Sequence, residues 1–179
     1  MRMIRVDIET VVIGNGPMAS LVVLKPRNSG SRAYEPLPIR IGMMEASAIG
    51  MGVENPHSDR PMTHDLLQTA IHELGATITS VAIVGVEGTT FFAEINLTSK
   101  AGYHLSLDAR PSDALALAVR AKSPIFVAES VMATASYPDF DAVKRDQDRL
   151  DLEAFDRFID SLSPEDFRAA PGAAPGKQS

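Results

Sequence analysis

The chain has 179 residues, of which 45% are hydrophobic and 22% are charged, a composition typical of a globular protein. It contains no cysteine, which excludes disulfides, cysteine-ligated zinc, iron–sulfur clusters and a thiol nucleophile. No apolar run approaches the ~20 residues that a membrane span needs, and the first residues lack the apolar stretch of a signal peptide. We therefore expect a cytoplasmic protein without a membrane partner.

The formal net charge of −6 is concentrated in the C-terminal part of the chain. Residues 1–128 hold 11 Lys and Arg against 12 Asp and Glu, a net of −1, whereas residues 129–179 hold 6 against 11, a net of −5. A body so close to neutral does not by charge alone predict tight nonspecific binding to long nucleic acid at physiological salt.

The first part of the chain has the alternating apolar and polar pattern of β-strands, broken by turn residues. Strands are predicted over residues 6–11, 19–24 and 37–41. An exposed loop is expected over residues 26–36, and an Ala- and Met-rich helix over residues 45–53.

A second helix is expected over residues 64–74, where apolar residues recur at helical spacing. Thr63 is the predicted N-cap, Asp65 lies in the first turn, and Gly75 ends the helix. The elements predicted after it are strands over residues 78–86, 90–97 and 103–107, a helix over 114–121 and a strand over 124–127.

The two sets of elements form an internal repeat, over about residues 6–53 and 77–121. Ile39-Arg40-Ile41 and Ala48 align without gaps on Leu105-Ser106-Leu107 and Ala114, an offset of 66 residues. Because neither β-β-β-α half buries its apolar face alone, the halves are expected to join their sheets. The predicted fold is α+β, with a mixed sheet or barrel-like core and helices packed on it.

This domain is expected over residues 1–132. A linker and an acidic extension follow over 133–168, including an amphipathic helix within residues 150–162. The Ala-, Pro- and Gly-rich residues 169–179 are expected to form a disordered tail.

Five segments together resemble the bifunctional nuclease family, formerly a domain of unknown function. They are LPIRIGMMEASAI (37–49), RPMTHDLLQTAIHELGA (60–76), FFAEI (91–95), DARPSDALALAVR (108–120) and PIFV (124–127). The resemblance implies an α+β fold, self-association as a homo-oligomer, and nuclease activity on DNA and RNA. One departure is Arg40, where the family commonly has an aromatic residue.

Asp108, Arg110 and Asp113 form the strongest candidate site. A metal-dependent nuclease needs carboxylate oxygens for Mg²⁺ or Mn²⁺ and a cation near the phosphate, and these residue types supply both. The alternative is purely structural: Pro111 starts the helix, while Ser112 and Asp113 satisfy its free amides and an Arg110–carboxylate bridge locks the turn.

Glu45, His64 and Asp65 are the remaining candidates. Glu45 occupies the corresponding strand–helix region of the first half, opposite Asp108 and Asp113 in the second. These two acidic turns converge if the halves pair, giving a two-carboxylate metal site. His64 suits a general base or a cationic phosphate partner, and Asp65 suits a metal ligand. As adjacent helical residues, His64 and Asp65 do not share a face. The alternative is a plain helix-start role for each of the three residues.

Two functional hypotheses follow. The first is a divalent-metal-dependent phosphodiesterase that cleaves DNA and RNA with low sequence specificity. The second is a non-catalytic, oligomeric binding or regulatory module that docks a protein partner through residues 150–167. No nucleotide-cofactor motif is present, because the GxGxxG and GxxxxGK[ST] loops are absent.

Overall fold

One mixed sheet of seven strands organises the described chain. The structure is a computed structural model, and it describes residues 2–14, 19–27, 34–54 and 60–136. The strands are β1 (Met3–Val12), β2 (Ser20–Pro26), β3 (Leu37–Ile41), β4 (Ala76–Glu87), β5 (Thr90–Ser99), β6 (His104–Ala109) and β7 (Ile125–Ala128). The helices are α1 (Met43–Glu54), α2 (Thr63–Glu73), α3 (Pro111–Ala121) and α4 (Glu129–Ala135).

The strand order, β3-β2-β1-β7-β4-β5-β6, places one predicted half on each side of the short strand β7. Within each half the neighbouring strands are antiparallel. Strand β7 joins the halves, since it runs antiparallel to β1 and parallel to β4. The expected α+β fold with a mixed sheet is therefore confirmed.

The corresponding helices of the two halves, α1 and α3, pack side by side. Their first residues, Met43 and Pro111, are 68 positions apart, and the buried Ala46 corresponds at that spacing to the buried Ala114. The helices are thus in phase at an offset of 68, two more than the sequence alignment gave. At this offset the acidic residues in the two first turns, Glu45 and Asp113, are equivalent positions.

The last turns of these helices approach closely at Gly52. A Cβ atom added there would lie 2.4 Å from Cγ2 of Val119 and 2.7 Å from a guanidinium nitrogen of Arg120. The first turns also meet, through an ion pair between Glu45 and Arg110. Because first turns meet first turns and last turns meet last turns, α1 and α3 run in parallel, and their N-termini lie at the same end.

The hydrophobic core lies between the inner face of the sheet and the helices. Helix α3 is buried along most of its length, whereas none of the residues of α2 is fully buried. Helix α4 was not predicted, and it adds Val131 and Met132 to the core. None of the helices in the described ranges has the length and apolar character that a membrane span requires.

The structure describes the predicted extension only as far as residue 136. The rest of the extension and the predicted tail lie outside the described residues. This applies to the amphipathic helix expected within residues 150–162. The domain boundaries therefore stay predictions.

Candidate functional site

A cavity of about 350 Å³ opens where the first turns of α1, α2 and α3 come together. Four of the candidate residues line it, and they come from three separate segments of the sequence: Glu45 on α1, His64 on α2, and Arg110 and Asp113 at the start of α3. Their convergence follows from the parallel packing of α1 and α3, with α2 lying against α3. The two remaining candidates, Asp65 and Asp108, are not among the lining residues.

Arg110 connects the two acidic residues at the equivalent helix positions. Its Nε and one Nη donate to the carboxylate of Asp113 at 2.8 and 3.3 Å, and the other Nη donates to Glu45 at 3.1 Å. A guanidinium has five N–H groups, so these three bonds leave two of them uncommitted. The side chain of Arg110 is 66% exposed, which keeps those donors within reach of a ligand.

Asp113 also contacts His64, whose Nε2 lies 3.3 Å from one carboxylate oxygen. Burial tends to raise the pKa of Asp113, but the hydrogen bonds from Arg110 and His64 outweigh that effect and hold its pKa below the usual value. The carboxylate is therefore ionised and only accepts hydrogen bonds, so the Nε2–H of His64 donates. In a neutral imidazole this leaves Nδ1 as the basic nitrogen.

Arg120 also lines this cavity, and it attaches α2 to the other two helices. Its side chain is only 6% exposed, and its Nε donates to Asp65 on α2 at 2.6 Å. One Nη donates to the carbonyl oxygens of Ala48 on α1 and Ala116 on α3, both at 2.9 Å. Since His64 precedes Asp65, this contact fixes the part of α2 that carries the imidazole.

Arg120 is the residue of this region that the sequence analysis missed. The available signal was a cation directly after the apolar residues 114–119, in the last turn of the predicted helix. A charged side chain on a buried helix needs a partner, because such side chains are seldom fully buried unless they are paired.

The helix starts differ from the predicted capping pattern. The N-cap of α2 is Met62 rather than Thr63, so that prediction was wrong by one residue. The carboxylate of Asp65 instead accepts the backbone N–H of Met62 at 3.0 Å. At α3 no side chain caps the helix, so the expected capping role of Ser112 and Asp113 is also wrong, because the Asp113 carboxylate is engaged with Arg110 and His64. The other two parts of the structural alternative are confirmed, since Pro111 begins α3 and Arg110 bridges to the carboxylate of Asp113.

Asp65 and Asp108 do not join the carboxylates that line the cavity. Asp65 is held by Arg120, and hydrogen bonds from Met62 and Arg120 lower its pKa against the raising effect of burial. Asp108 is exposed on β6, where it lies directly opposite Glu94 of β5. The expected grouping of Asp108 with Asp113 is thus not seen in the contacts of the described residues.

The side chains as arranged do not fit a metal ion held by the protein. Within the described ranges, no group of three or more His, Cys, Asp or Glu side chains is placed to hold one. The carboxylates of Glu45 and Asp113 both face the guanidinium of Arg110. A divalent cation would have to compete with Arg110 for these oxygens.

Comparison with known proteins agrees with this structure. A model of the bifunctional nuclease domain matches residues 22–139, which contain all six candidate residues. The chain belongs to the bifunctional nuclease family. The resemblance inferred from five sequence segments is therefore confirmed.

Curated relatives extend the match across most of the chain. An uncharacterized protein of Mycobacterium tuberculosis, with the same values in two strains, is 37% identical over 155 residues, or 82% of this chain and 88% of its own length. Bifunctional nuclease 2 of Oryza sativa subsp. japonica is 34% identical over 98 residues, which is 53% of this chain and 30% of the rice protein.

Proposed function

We propose that the protein is a nuclease that hydrolyses phosphodiester bonds of DNA and RNA with low sequence specificity. The reaction takes place in the cavity between α1, α2 and α3. The observation that carries the proposal is the meeting of an imidazole, a guanidinium and two carboxylates in one cavity of a bifunctional nuclease domain. These groups suit a phosphodiester, because they combine a base with a cation for phosphate oxygens.

Arg110 binds the phosphate in this proposal. Its two uncommitted N–H groups donate to non-bridging phosphate oxygens, and its charge opposes the negative charge that grows on them during the reaction. Glu45 and Asp113 hold the guanidinium in place from two helices, so little rearrangement is needed when the substrate enters.

His64 acts as the general base, and Asp113 orients it. A water molecule attacks phosphorus while Nδ1 of His64 takes one of its protons, forming the new P–O bond. The bond from phosphorus to the leaving sugar oxygen then breaks, and that oxygen takes a proton from solvent. Water is the nucleophile common to both substrates, because DNA lacks the 2′-hydroxyl of RNA.

Several expectations from the sequence remain separate predictions. No step above depends on Mg²⁺ or Mn²⁺, and the roles of Asp65 and Asp108 as ligands rest only on their chemistry. Self-association and a cytoplasmic location are likewise predictions that the resemblance and the composition support.

The experiment uses the full-length chain, purified over several steps, with labelled single-stranded DNA, double-stranded DNA and RNA. Cleavage is followed with EDTA and across a titration of Mg²⁺ and Mn²⁺. The variants are His64→Ala and Asp113→Asn, and Asp108→Asn is the matched carboxylate substitution outside the cavity. We expect His64→Ala to lower the rate by 10²-fold or more, since general-base catalysis contributes about 10²–10⁴-fold.

Three outcomes separate the parts of the proposal. Activity that disappears on further purification refutes the nuclease function. Activity that survives both His64→Ala and Asp113→Asn refutes the site. Activity that is lost in Asp108→Asn and kept in Asp113→Asn transfers the chemistry to the edge strand and refutes this geometry.

A further inference from the structure

A second cavity, of about 310 Å³, adjoins the first. It is lined by the end of β3, by the β4–β5 turn and by the start of α3. Glu45 and Arg110 line both cavities, so their ion pair forms the boundary between them. The two cavities therefore lie side by side, with the side chains of Arg110 and Glu45 between them.

Ser112 brings a buried hydroxyl group to the second cavity. The residue is only 6% exposed, it lines the cavity, and its hydroxyl has no hydrogen-bond partner among the described residues. A buried polar group without a partner is costly, and such groups in folded proteins are nearly always satisfied. The hydroxyl of Ser112 thus lacks an acceptor that a ligand in the cavity would supply.

The backbone around Ser112 adds a second donor. Ser112 lies in the first turn of α3, where N–H groups have no acceptor within the helix, and no side chain caps this helix. Asp113 and Ala114 direct their N–H groups to the carbonyl of Arg110. The N–H of Ser112 remains for a ligand, at the end of the helix that favours negative charge.

Arg40 gives the second cavity a positive charge. It is exposed on β3 and lines the cavity, and no carboxylate among the described residues pairs with it. The other charged lining residues, Arg110 and Glu45, form an ion pair with each other. Arg40 therefore adds a positive charge that no carboxylate of the described residues pairs with, beside a hydroxyl and an amide donor, a combination that matches the oxygens of a phosphate group.

We propose that this second cavity binds a further phosphate group of the nucleic-acid strand, next to the phosphate that is cleaved. Arg40 and Ser112 are its binding residues, and Arg110 lies between the two phosphates. The inference rests on the proposed function, because it assumes that the strand enters the first cavity. It assigns to Arg40 and Ser112 a role in holding the substrate and none in the chemical step.

The test measures binding of a short fluorescent single-stranded DNA by anisotropy at several salt concentrations. The full-length chain is compared with Arg40→Gln, Ser112→Ala and the control Arg5→Gln, which removes an exposed strand arginine outside both cavities. We expect Arg40→Gln to weaken binding about tenfold at low salt and to reduce the salt slope by about 0.7, the value for one phosphate contact on a single strand. Ser112→Ala should weaken binding about threefold without changing the slope, because the hydroxyl is neutral.

Parallel assays keep this proposal distinct from the nuclease function. Thermal unfolding of each variant identifies any loss of the fold, and inorganic phosphate is titrated as a competitor. Binding by both cavity variants that equals that of Arg5→Gln overturns the second phosphate site. The proposal is also overturned if Arg40→Gln changes the effect of inorganic phosphate but leaves strand binding unchanged, since the cavity would then bind a free anion and not the strand. Loss of strand binding in Arg40→Gln in a protein without cleavage activity supports the subsite while refuting the nuclease function.

Discussion

Arg120 provides the most specific test of how the three helices are held together. The substitution Arg120→Met removes the guanidinium but keeps most of the buried aliphatic stem. It deletes the ion pair with Asp65 on α2 and the hydrogen bonds to the carbonyls of Ala48 and Ala116. The contact between α2 and the α1–α3 pair then loses its buried polar connection.

The size of the effect follows from these contacts. Each hydrogen bond from a charged donor contributes about 1.5 kcal/mol. The ion pair with Asp65 contributes about 1 kcal/mol, because that carboxylate is partly exposed to solvent. Burying a methionine side chain returns part of this sum, so we expect Arg120→Met to lower the free energy of unfolding by about 3 kcal/mol.

Urea denaturation followed by circular dichroism measures this value. With an m-value of about 1.5 kcal/mol/M, the unfolding midpoint should fall by about 2 M. Arg40→Met is the matched control, since an exposed arginine without a carboxylate partner among the described residues should change stability by less than about 0.5 kcal/mol. A loss below about 1 kcal/mol in Arg120→Met would refute the anchoring role.

The other predictions concern helix packing, pH and assembly. Gly52→Ala should lower the free energy of unfolding by about 1–3 kcal/mol in urea denaturation, because its Cβ would overlap Val119. Gly50→Ala is the matched control, since no atom lies within 4 Å of its new Cβ, and it should stabilise the helix by up to about 1 kcal/mol. Equal effects of the two substitutions would contradict the close packing of α1 on α3. Stability should fall on acidification, because the pKa values of Asp65 and Asp113 are lowered in the folded state. The stability that these two carboxylates contribute is fully present above the pKa of an aspartate in the unfolded chain, about 3.9. It is lost as the pH falls through their lower pKa values in the folded protein. Asp113→Asn should therefore flatten the acid limb of the stability profile, and an unchanged profile would contradict the assigned contacts. Sedimentation velocity at several concentrations tests the expected self-association, which a monomer at every concentration would refute.

The helices and strands could be predicted from the sequence because the spacing of apolar and polar residues that defines each element lies within a short segment of the chain. The residue patterns predicted all seven strands, the Ala- and Met-rich composition indicated α1, helical spacing indicated α2, and most of α3 was predicted as an apolar helix. Helix α3 was predicted over residues 114–121, and only the structural alternative placed its start at Pro111, where it does begin. Helix α4 has only seven residues, too few to show a clear period.

The arrangement of these elements was harder to predict. Nothing local indicates that β7 enters between β1 and β4 and joins the halves, since this depends on which strand edges remain free. The repeat did indicate that the two acidic helix starts would converge, and Glu45 and Asp113 do meet at Arg110.

The contacts within the candidate site depend on tertiary packing. His64 and Asp113 are 49 positions apart, and they meet only because α2 lies against α3. Sequence chemistry could name both residues as candidates but could not pair them. It also could not show that Arg110 would occupy the space between the carboxylates, where a metal ion was expected.

Cleavage by Arg110→Gln, compared with wild type on the same purified single strand, tests the central claim most directly. Glutamine keeps a polar side chain but removes the positive charge that contacts the phosphate in our account. We expect the rate of bond cleavage under saturating substrate to fall by 10²-fold or more, while Arg5→Gln cleaves at the wild-type rate. Wild-type cleavage by Arg110→Gln would contradict the account, because the proposed phosphate-binding cation would then play no part in the reaction.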